Sequence, residues 1–196
     1  MKICVFQGTF NPIHNAHLRI ADFACKNFHF DKFIFIPAYI PPHKEIDLDL
    51  AAQRLQMVRL ALESYPEYEV SDIEYKRGGK SYTYDTITAL YDLYDTEEKI
   101  NFIIGTDAFE KIESWYRIED LKQLIKFLVF VREDNFDVLR YNYLREKGYD
   151  FELQNLPYRD ISSTELREKI RTNSDIEKYV PPKVKEYIEK YGLYKS

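Results

Sequence analysis

The chain has 196 residues, of which 45% are hydrophobic and 31% charged, and its net charge is −5 at neutral pH. We expect residues 1–196 to form a single α/β domain, because this length can bury one sheet with helices on both faces. The acidic balance argues against a nucleic-acid partner, which needs clustered Lys and Arg, and no apolar run approaches the roughly eighteen residues needed for a membrane span. Two separated cysteines and a start without a signal-peptide pattern favour a reduced, cytoplasmic protein.

The first twenty residues predict a strand, a tight loop and a helix. An apolar run over 2–6 ends at Gly8, and apolar residues recur at helical spacing from residue 16, so a helix should begin near residue 15. The first N–H groups of that helix have no intrahelical partner, and Gly8 allows a ligand to approach closely. His14 and His17 lie three residues apart and can face the same side. The loop therefore suits an anion, most simply a phosphate.

Two other readings of the histidine pair stay open at this point. His-x-x-His could ligate a metal, although a zinc site needs further ligands, and only His29, His43 and the two cysteines could supply them. The pair could also be two ordinary surface histidines.

The second predicted strand, 32–36, is an almost continuous apolar run, which suits a parallel sheet covered on both faces. The loop over 38–47 follows it and contains the sequence PPHK. Ligands of open α/β sheets bind at the carboxyl ends of strands, so Lys44 could contact a substrate phosphate. The alternative is a solvated lysine.

The middle of the chain predicts a helix over 51–62 and short strands near 69–71 and 73–75. After a turn at 76–80, the sequence SYTYDT begins a helix that continues to residue 93. Its hydroxyl and carboxylate groups could cap the helix, or Tyr82 and Thr83 could contact a ligand.

A third buried strand over 101–105 is followed by Asp107, with Glu110 three residues later. Asp107 could cap the next helix with Glu110 as its partner, or it could bind a ribose hydroxyl or an amino group. Trp115 is the only tryptophan, and it could be a core residue or could stack on a heteroaromatic base.

The last strong strand is 126–131, with Arg132 directly at its end. We expect a helix over 137–147, a short strand over 151–153 and a closing helix over 181–191. The sequence ISSTELR lies between the last two. Ser162 and Glu165 match a capping box, and three hydroxyls with Arg167 one turn later could instead form a second phosphate site.

Five segments in this order resemble those of the bacterial-type nicotinate-mononucleotide adenylyltransferases, in the His-x-x-His nucleotidyltransferase superfamily. They are GTFNPIHNAH, PPHK, SYTYDT, GTDAFEKIESW and ISSTELR, and the resemblance covers essentially the whole chain. Two positions depart from the family pattern, because Gln7 and Ala16 stand where the family often has glycine. These departures bear on the geometry of the loop more than on its chemistry.

The resemblance implies a Rossmann-like parallel sheet with helices on both faces. It implies that the catalytic residues are His14, His17 and Arg167. It implies an ATP site formed by Gly8, Thr9, Phe10, Gly105, Asp107, Arg132, Ile161, Ser162, Ser163 and Thr164. It places the mononucleotide against Lys44, Tyr82, Thr83 and Trp115. It also implies Mg²⁺ carried on the ATP phosphates, with no metal ligand from the protein.

The activity implied by the resemblance is transfer of the adenylyl group of ATP to nicotinate mononucleotide, which yields the deamido form of NAD and pyrophosphate. The chemistry agrees, because a phosphate monoester with a second pKa of about 6 is already ionised at neutral pH and needs no general base. The nearest rivals are adenylyltransferases that act on phosphopantetheine or on nicotinamide mononucleotide. Class I aminoacyl-tRNA synthetases have a similar histidine signature, but an acidic chain this short does not suit tRNA. A nucleotide sensor without catalysis is the third alternative, and the oligomeric state does not follow from the sequence.

Overall fold

The computed structural model describes residues 1–43, 45, 47–131, 133, 135–156 and 161–195. Lys44 and Arg132 lie outside the described residues, so the roles predicted for them stay predictions. No helix in the described part of the chain is long and apolar enough to cross a membrane.

Six strands of the described chain form one sheet in the order β3-β2-β1-β4-β5-β6, and every neighbouring pair is parallel. Their bounds are β1 Ile3–Gly8, β2 Lys32–Pro37, β3 Tyr68–Val70, β4 Ile100–Gly105, β5 Ile125–Val131 and β6 Phe151–Asn155. The strand order reverses between β1 and β4, which opens a crevice at their carboxyl ends. The predicted Rossmann-like fold is confirmed.

Helices cover both faces of this sheet. Their bounds are α1 Asn15–Phe28, α2 Ala51–Leu62, α3 Ile73–Arg77, α4 Thr83–Leu93, α5 Thr106–Phe109, α6 Ile118–Leu124, α7 Asn142–Glu146, α8 Ser163–Arg171 and α9 Pro182–Tyr191. One core contains residues of α1, α2, α8 and α9, and the other contains residues of α4, α5, α6 and α7. Strand β1 serves both cores, because Cys4 and Phe6 belong to the first whereas Ile3 and Val5 belong to the second. Burial on both faces explains why the strands are continuous apolar runs.

Three segments differ from the sequence-based expectation. The strand expected at 73–75 is wrong, because these residues begin helix α3, which places Glu74 in a buried polar cluster. The helix expected over 137–147 shortens to α7, because its first residues form turns, one of which has Leu139 N–H donating to Asp137 at 2.9 Å. Helix α6 was not predicted, since its amphipathic pattern is only two turns long.

Candidate active site

A cleft of about 700 Å³ opens at the carboxyl ends of β1 and β4, where the strand order reverses. This volume is typical of a small-molecule site. Seven of the residues predicted from the sequence line it, namely Gly8, Thr9, Tyr82, Thr83, Gly105, Asp107 and Trp115. The sheet thus brings together the ends of segments that are far apart in the sequence.

The loop between β1 and α1 is shaped by the contact of Gly8 with Phe10. Phe10 has a positive φ of 46°, and its buried ring packs against Phe6 and Phe35 at centroid distances of 5.4 and 5.8 Å. A Cβ at Gly8 would lie only 3.0 to 3.2 Å from atoms of that ring. Glycine therefore permits the close packing at this position, and Phe10 could contact a ligand only through its backbone.

The two histidines form one stacked unit at the start of α1. Their ring centroids are 3.8 Å apart at an interplanar angle of 29°, and His14 is only 2% exposed. The backbone N–H of His14 donates to Nδ1 of His17 at 3.1 Å. An acceptor at Nδ1 leaves Nε2 to carry the hydrogen of the neutral His17 ring. The structure thus fixes which nitrogen of His17 is the donor.

The start of α8 lies against the same loop, as the predicted second wall requires. Arg167 donates to the carbonyl oxygen of Asn11 at 2.8 Å, and the Ser163 hydroxyl donates to that of Pro12 at 3.1 Å. The capping box is confirmed, because Ser162 Oγ accepts from Glu165 N–H at 3.1 Å while Glu165 accepts from Ser162 N–H at 2.7 Å.

The other predicted residues of this wall have different environments. The hydrogen bonds that Glu165 accepts from Ser162 lower the pKa of the Glu165 carboxyl. Thr164 accepts a hydrogen bond from Arg167 at 3.3 Å, whereas the Ile161 side chain belongs to the core. Ile161 could therefore contact ATP only through its backbone.

The opposite side of the cleft is formed by the start of α4 and by Trp115. Tyr82 is the N-cap residue of α4, and its side chain makes no capping hydrogen bond. Trp115 is half-buried, with its ring edge-on to Phe102 at 6.0 Å. The ring of Tyr116, which is 47% exposed, lies 4.5 Å from that of Tyr82. Sequence reasoning did not identify Tyr116, although it directly follows the tryptophan.

Asp107 is not the capping residue of a box with Glu110. Gly105 is the N-cap residue of α5, no side chain caps it, and Asp107 lies in the first turn, where it lines the cleft. Glu110 instead pairs with Arg140 at 2.6 Å. Binding of a ribose hydroxyl or an amino group by Asp107 stays a prediction.

A buried arginine that the sequence analysis missed holds the loops after β1 and β2. Arg54 is 0% exposed and donates to the carbonyl oxygens of Thr9, Ala38 and Tyr39 at 2.8, 2.6 and 2.9 Å. Burial lowers the pKa of this guanidinium. The Tyr39 N–H donates to Ser81 Oγ at 2.8 Å and to the Glu74 carboxylate at 3.2 Å. Buried side chains therefore hold both backbone groups of Tyr39.

The metal reading of the histidine pair gains no support. Within the residues that the structure describes, no three His, Cys, Asp or Glu side chains are grouped to hold a metal ion. His43 lines the cleft, but it does not form such a group of three with the two histidines of the pair.

Comparison with known proteins agrees with this geometry. The family model described as cytidylyltransferase-like matches residues 5–169. The chain is 42% identical over 201 residues to a probable nicotinate-nucleotide adenylyltransferase of Caldicellulosiruptor saccharolyticus, with 100% of both chains covered. It is 36% identical over 196 residues to the nicotinate-nucleotide adenylyltransferase of Bacillus subtilis, covering 100% of this chain and 99% of that one.

A solved structure shares the fold. It is the nicotinic acid mononucleotide adenylyltransferase of Plasmodium falciparum complexed with NaAD, with a TM-score of 0.77 and 23% identity, covering 98% of this chain and 97% of that one. The fold and the full-length relatives agree, and the chain belongs to the nicotinate-nucleotide adenylyltransferases of the cytidylyltransferase-like family.

Proposed function

We propose that the protein transfers the adenylyl group of ATP to nicotinate mononucleotide, which forms nicotinate adenine dinucleotide and pyrophosphate in NAD biosynthesis. The observation that carries this proposal is the two-sided cleft at the switch point of the sheet. Gly8 and Thr9 of the β1–α1 loop line one side, and the rest of that loop carries the two histidines and the bond from Arg167, which lie outside the lining of the cleft. The other side presents the uncapped start of α4 next to Trp115. The names of the full-length relatives agree with this reaction.

The reaction requires positioning more than acid–base catalysis. The phosphate of the mononucleotide is the nucleophile, and it is largely a dianion at neutral pH because its second pKa is about 6. It attacks the α-phosphorus of ATP, the bond to the pyrophosphate breaks, and no proton has to be removed. The protein must hold two anions in line and stabilise the charge that moves to pyrophosphate.

The ATP phosphates fit against the side of the cleft that carries hydrogen-bond donors. The Asn15 N–H at the start of α1 already donates to Tyr179 O at 2.8 Å, so the donor at this position is the neutral His17 ring, which has its hydrogen on Nε2. Arg167 adds a fixed positive charge next to the loop. These groups bind and orient the triphosphate, so we assign His14, His17 and Arg167 the role of holding phosphate rather than moving protons.

We also propose that Mg²⁺ arrives on the ATP phosphates, where it would neutralise charge on the departing pyrophosphate. Mg²⁺ keeps several waters and often binds through substrate phosphates. The proposal therefore requires no set of metal-binding side chains.

The start of α4 favours the acid over the amide form of the mononucleotide. The N–H groups in the first turn of a helix attract a negative charge, and Tyr82 supplies no side-chain cap to this turn. Trp115 lines the same cleft and can stack on the pyridine ring. A carboxylate on that ring could accept from these N–H groups, whereas a carboxamide brings no charge.

Two coarser expectations belong to the same proposal. We place the protein in the cytoplasm, which fits two cysteines that are both unpaired thiols. We also propose that residues 1–196 fold as one domain.

The test is pyrophosphate release by the purified protein with ATP, Mg²⁺ and one acceptor at a time. We expect release with nicotinate mononucleotide, less with nicotinamide mononucleotide, and none with phosphopantetheine or without an acceptor. Lack of release with nicotinate mononucleotide would overturn the proposal. Faster release with the amide would overturn the argument from α4.

A further inference from the structure

A buried polar cluster borders the mononucleotide side of the cleft. Its centre is Glu74, which is 1% exposed and accepts hydrogen bonds from the Gln7 side chain, from the Thr86 hydroxyl at 2.7 Å and from Tyr39 N–H at 3.2 Å. Gln7 also accepts from the Thr83 hydroxyl at 2.8 Å. Gln7 and Thr83 both line the cleft. The end of β1 is therefore connected to the start of α4 through one carboxamide.

The orientation of that carboxamide follows from its neighbours. A carboxylate only accepts hydrogen bonds, so the Gln7 nitrogen must face Glu74. The Gln7 oxygen then faces Thr83, and the hydroxyl of Thr83 must be the donor. Thr83 has a single hydroxyl hydrogen, and it is used in this bond. The Thr83 side chain is thereby held in one position on the wall of the cleft.

Given the proposed function, we infer that Gln7 is a positioning residue for the mononucleotide, which acts through Thr83 and the buried Glu74 carboxylate. Thr83 is the first residue of α4, so its position sets that of the uncapped N–H groups next to Trp115. A glycine at position 7 could make neither of the two side-chain bonds. Gln7 does not touch the reacting atoms, and its effect is on the mononucleotide wall alone.

The supports of the ATP side do not involve Gln7. Arg167 bonds to Asn11, Ser163 bonds to Pro12 and Arg54 bonds to Thr9, and none of these bonds includes the Gln7 side chain. Loss of the Gln7 side chain should therefore weaken binding of the mononucleotide and leave that of ATP unchanged. A purely structural role would instead affect both substrates.

The experiment compares Gln7→Met, Thr83→Val and the double variant with the wild-type protein. Gln7→Met keeps the length of the side chain and removes both bonds, and Thr83→Val removes the hydroxyl with little change of shape. Thr88→Val is the matched control, because the Thr88 hydroxyl bonds to Tyr84 O at 2.8 Å within the same helix and does not line the cleft. Affinity for nicotinate mononucleotide is measured by the fluorescence of Trp115, the only tryptophan, and the KM for ATP by pyrophosphate release.

We expect Gln7→Met to weaken mononucleotide binding about tenfold and Thr83→Val to weaken it about threefold or more, as for loss of one or two hydrogen bonds. The KM for ATP should stay within about twofold of wild type in both variants. The double variant should bind no worse than Gln7→Met, because both changes remove the same link. The control should match wild type.

The inference would be overturned if Gln7→Met bound the mononucleotide with wild-type affinity, or if its KM for ATP rose as much as its mononucleotide affinity fell. It would also be overturned if the affinity losses of the two single variants multiplied in the double variant. If Gln7→Met does not fold, the Thr83→Val variant provides the test. Wild-type affinity of Thr83→Val for the mononucleotide would then overturn the inference. Failure of the wild-type protein to form pyrophosphate would overturn the proposed function instead, so the two failures are distinguishable.

Discussion

Replacement of Arg54 by Met tests whether a buried charge builds the floor of the cleft. The guanidinium donates to three carbonyl oxygens, those of Thr9 after β1 and of Ala38 and Tyr39 after β2. Methionine has nearly the same length but no donor. The substitution therefore leaves three carbonyl groups without this partner and frees two loops that line the cleft.

The magnitude follows from these three bonds. Hydrogen bonds to a charged group contribute about 1.5–3 kcal/mol each, and the cost of burying the guanidinium opposes them. Breaking such a buried arrangement by removing one partner typically costs about 3–5 kcal/mol, a large part of the roughly 5–15 kcal/mol that stabilises a domain. For a chain of this size, Tm should fall by roughly 6–20 °C. Arg54→Lys keeps the charge but not the planar fork, so we expect an intermediate loss.

Urea and thermal unfolding measure the free energy of unfolding, and initial rates measure both KM values. Arg59→Met is the matched control, because Arg59 lies on the same helix but has a half-exposed side chain that pairs with Asp72 at 3.2 Å. Such an exposed pair contributes at most about 1 kcal/mol. Both KM values should rise in Arg54→Met, since its loops border both substrates. If Arg54→Met were as stable as Arg59→Met, with unchanged KM values, the account of Arg54 would be wrong.

Three further predictions concern the ATP side of the cleft. Gly8→Ala should cost about 1–3 kcal/mol of stability and raise the KM for ATP, because the added Cβ would press on the buried Phe10 ring; unfolding and initial rates measure both. Tyr194→Phe removes the hydroxyl that donates to Asn11 at 2.7 Å and should raise the KM for ATP a few-fold without changing that for the mononucleotide, and equal changes in the two KM values would contradict it. His17→Ala should lower kcat about 10²–10³-fold at saturating substrates, as for loss of a donor to developing charge, and wild-type turnover would refute the phosphate-holding role.

The strands and the main loops of the cleft were predictable because each has a local signal. The apolar runs over 32–36, 101–105 and 126–131 are buried on both faces, so their composition alone indicates a parallel sheet. Because ligands bind at the carboxyl ends of such strands, the loops that follow these strands are expected to meet at one site. The stacked pair His14 and His17 follows from helical spacing.

The supports of the cleft were not predictable, because their partners are distant in sequence. Gln7 bonds to Glu74 across 67 positions, and Tyr194 bonds to Asn11 across 183. Arg54 lies in an amphipathic helix, where an arginine normally faces solvent, and only the positions of the two loops show why it is buried. The prediction of a strand at the short helix α3 was wrong for the same reason, because the burial of its carboxylate is set by tertiary contacts that the local sequence does not show.

The most direct test of the central claim is to follow the label from ATP that carries ³²P at either the α or the γ position, with nicotinate mononucleotide and Mg²⁺. The account predicts that the α label appears in the dinucleotide and the γ label in pyrophosphate. Transfer of the γ label to the nucleotide, or retention of the α label in ATP, would show that the cleft does not catalyse adenylyl transfer.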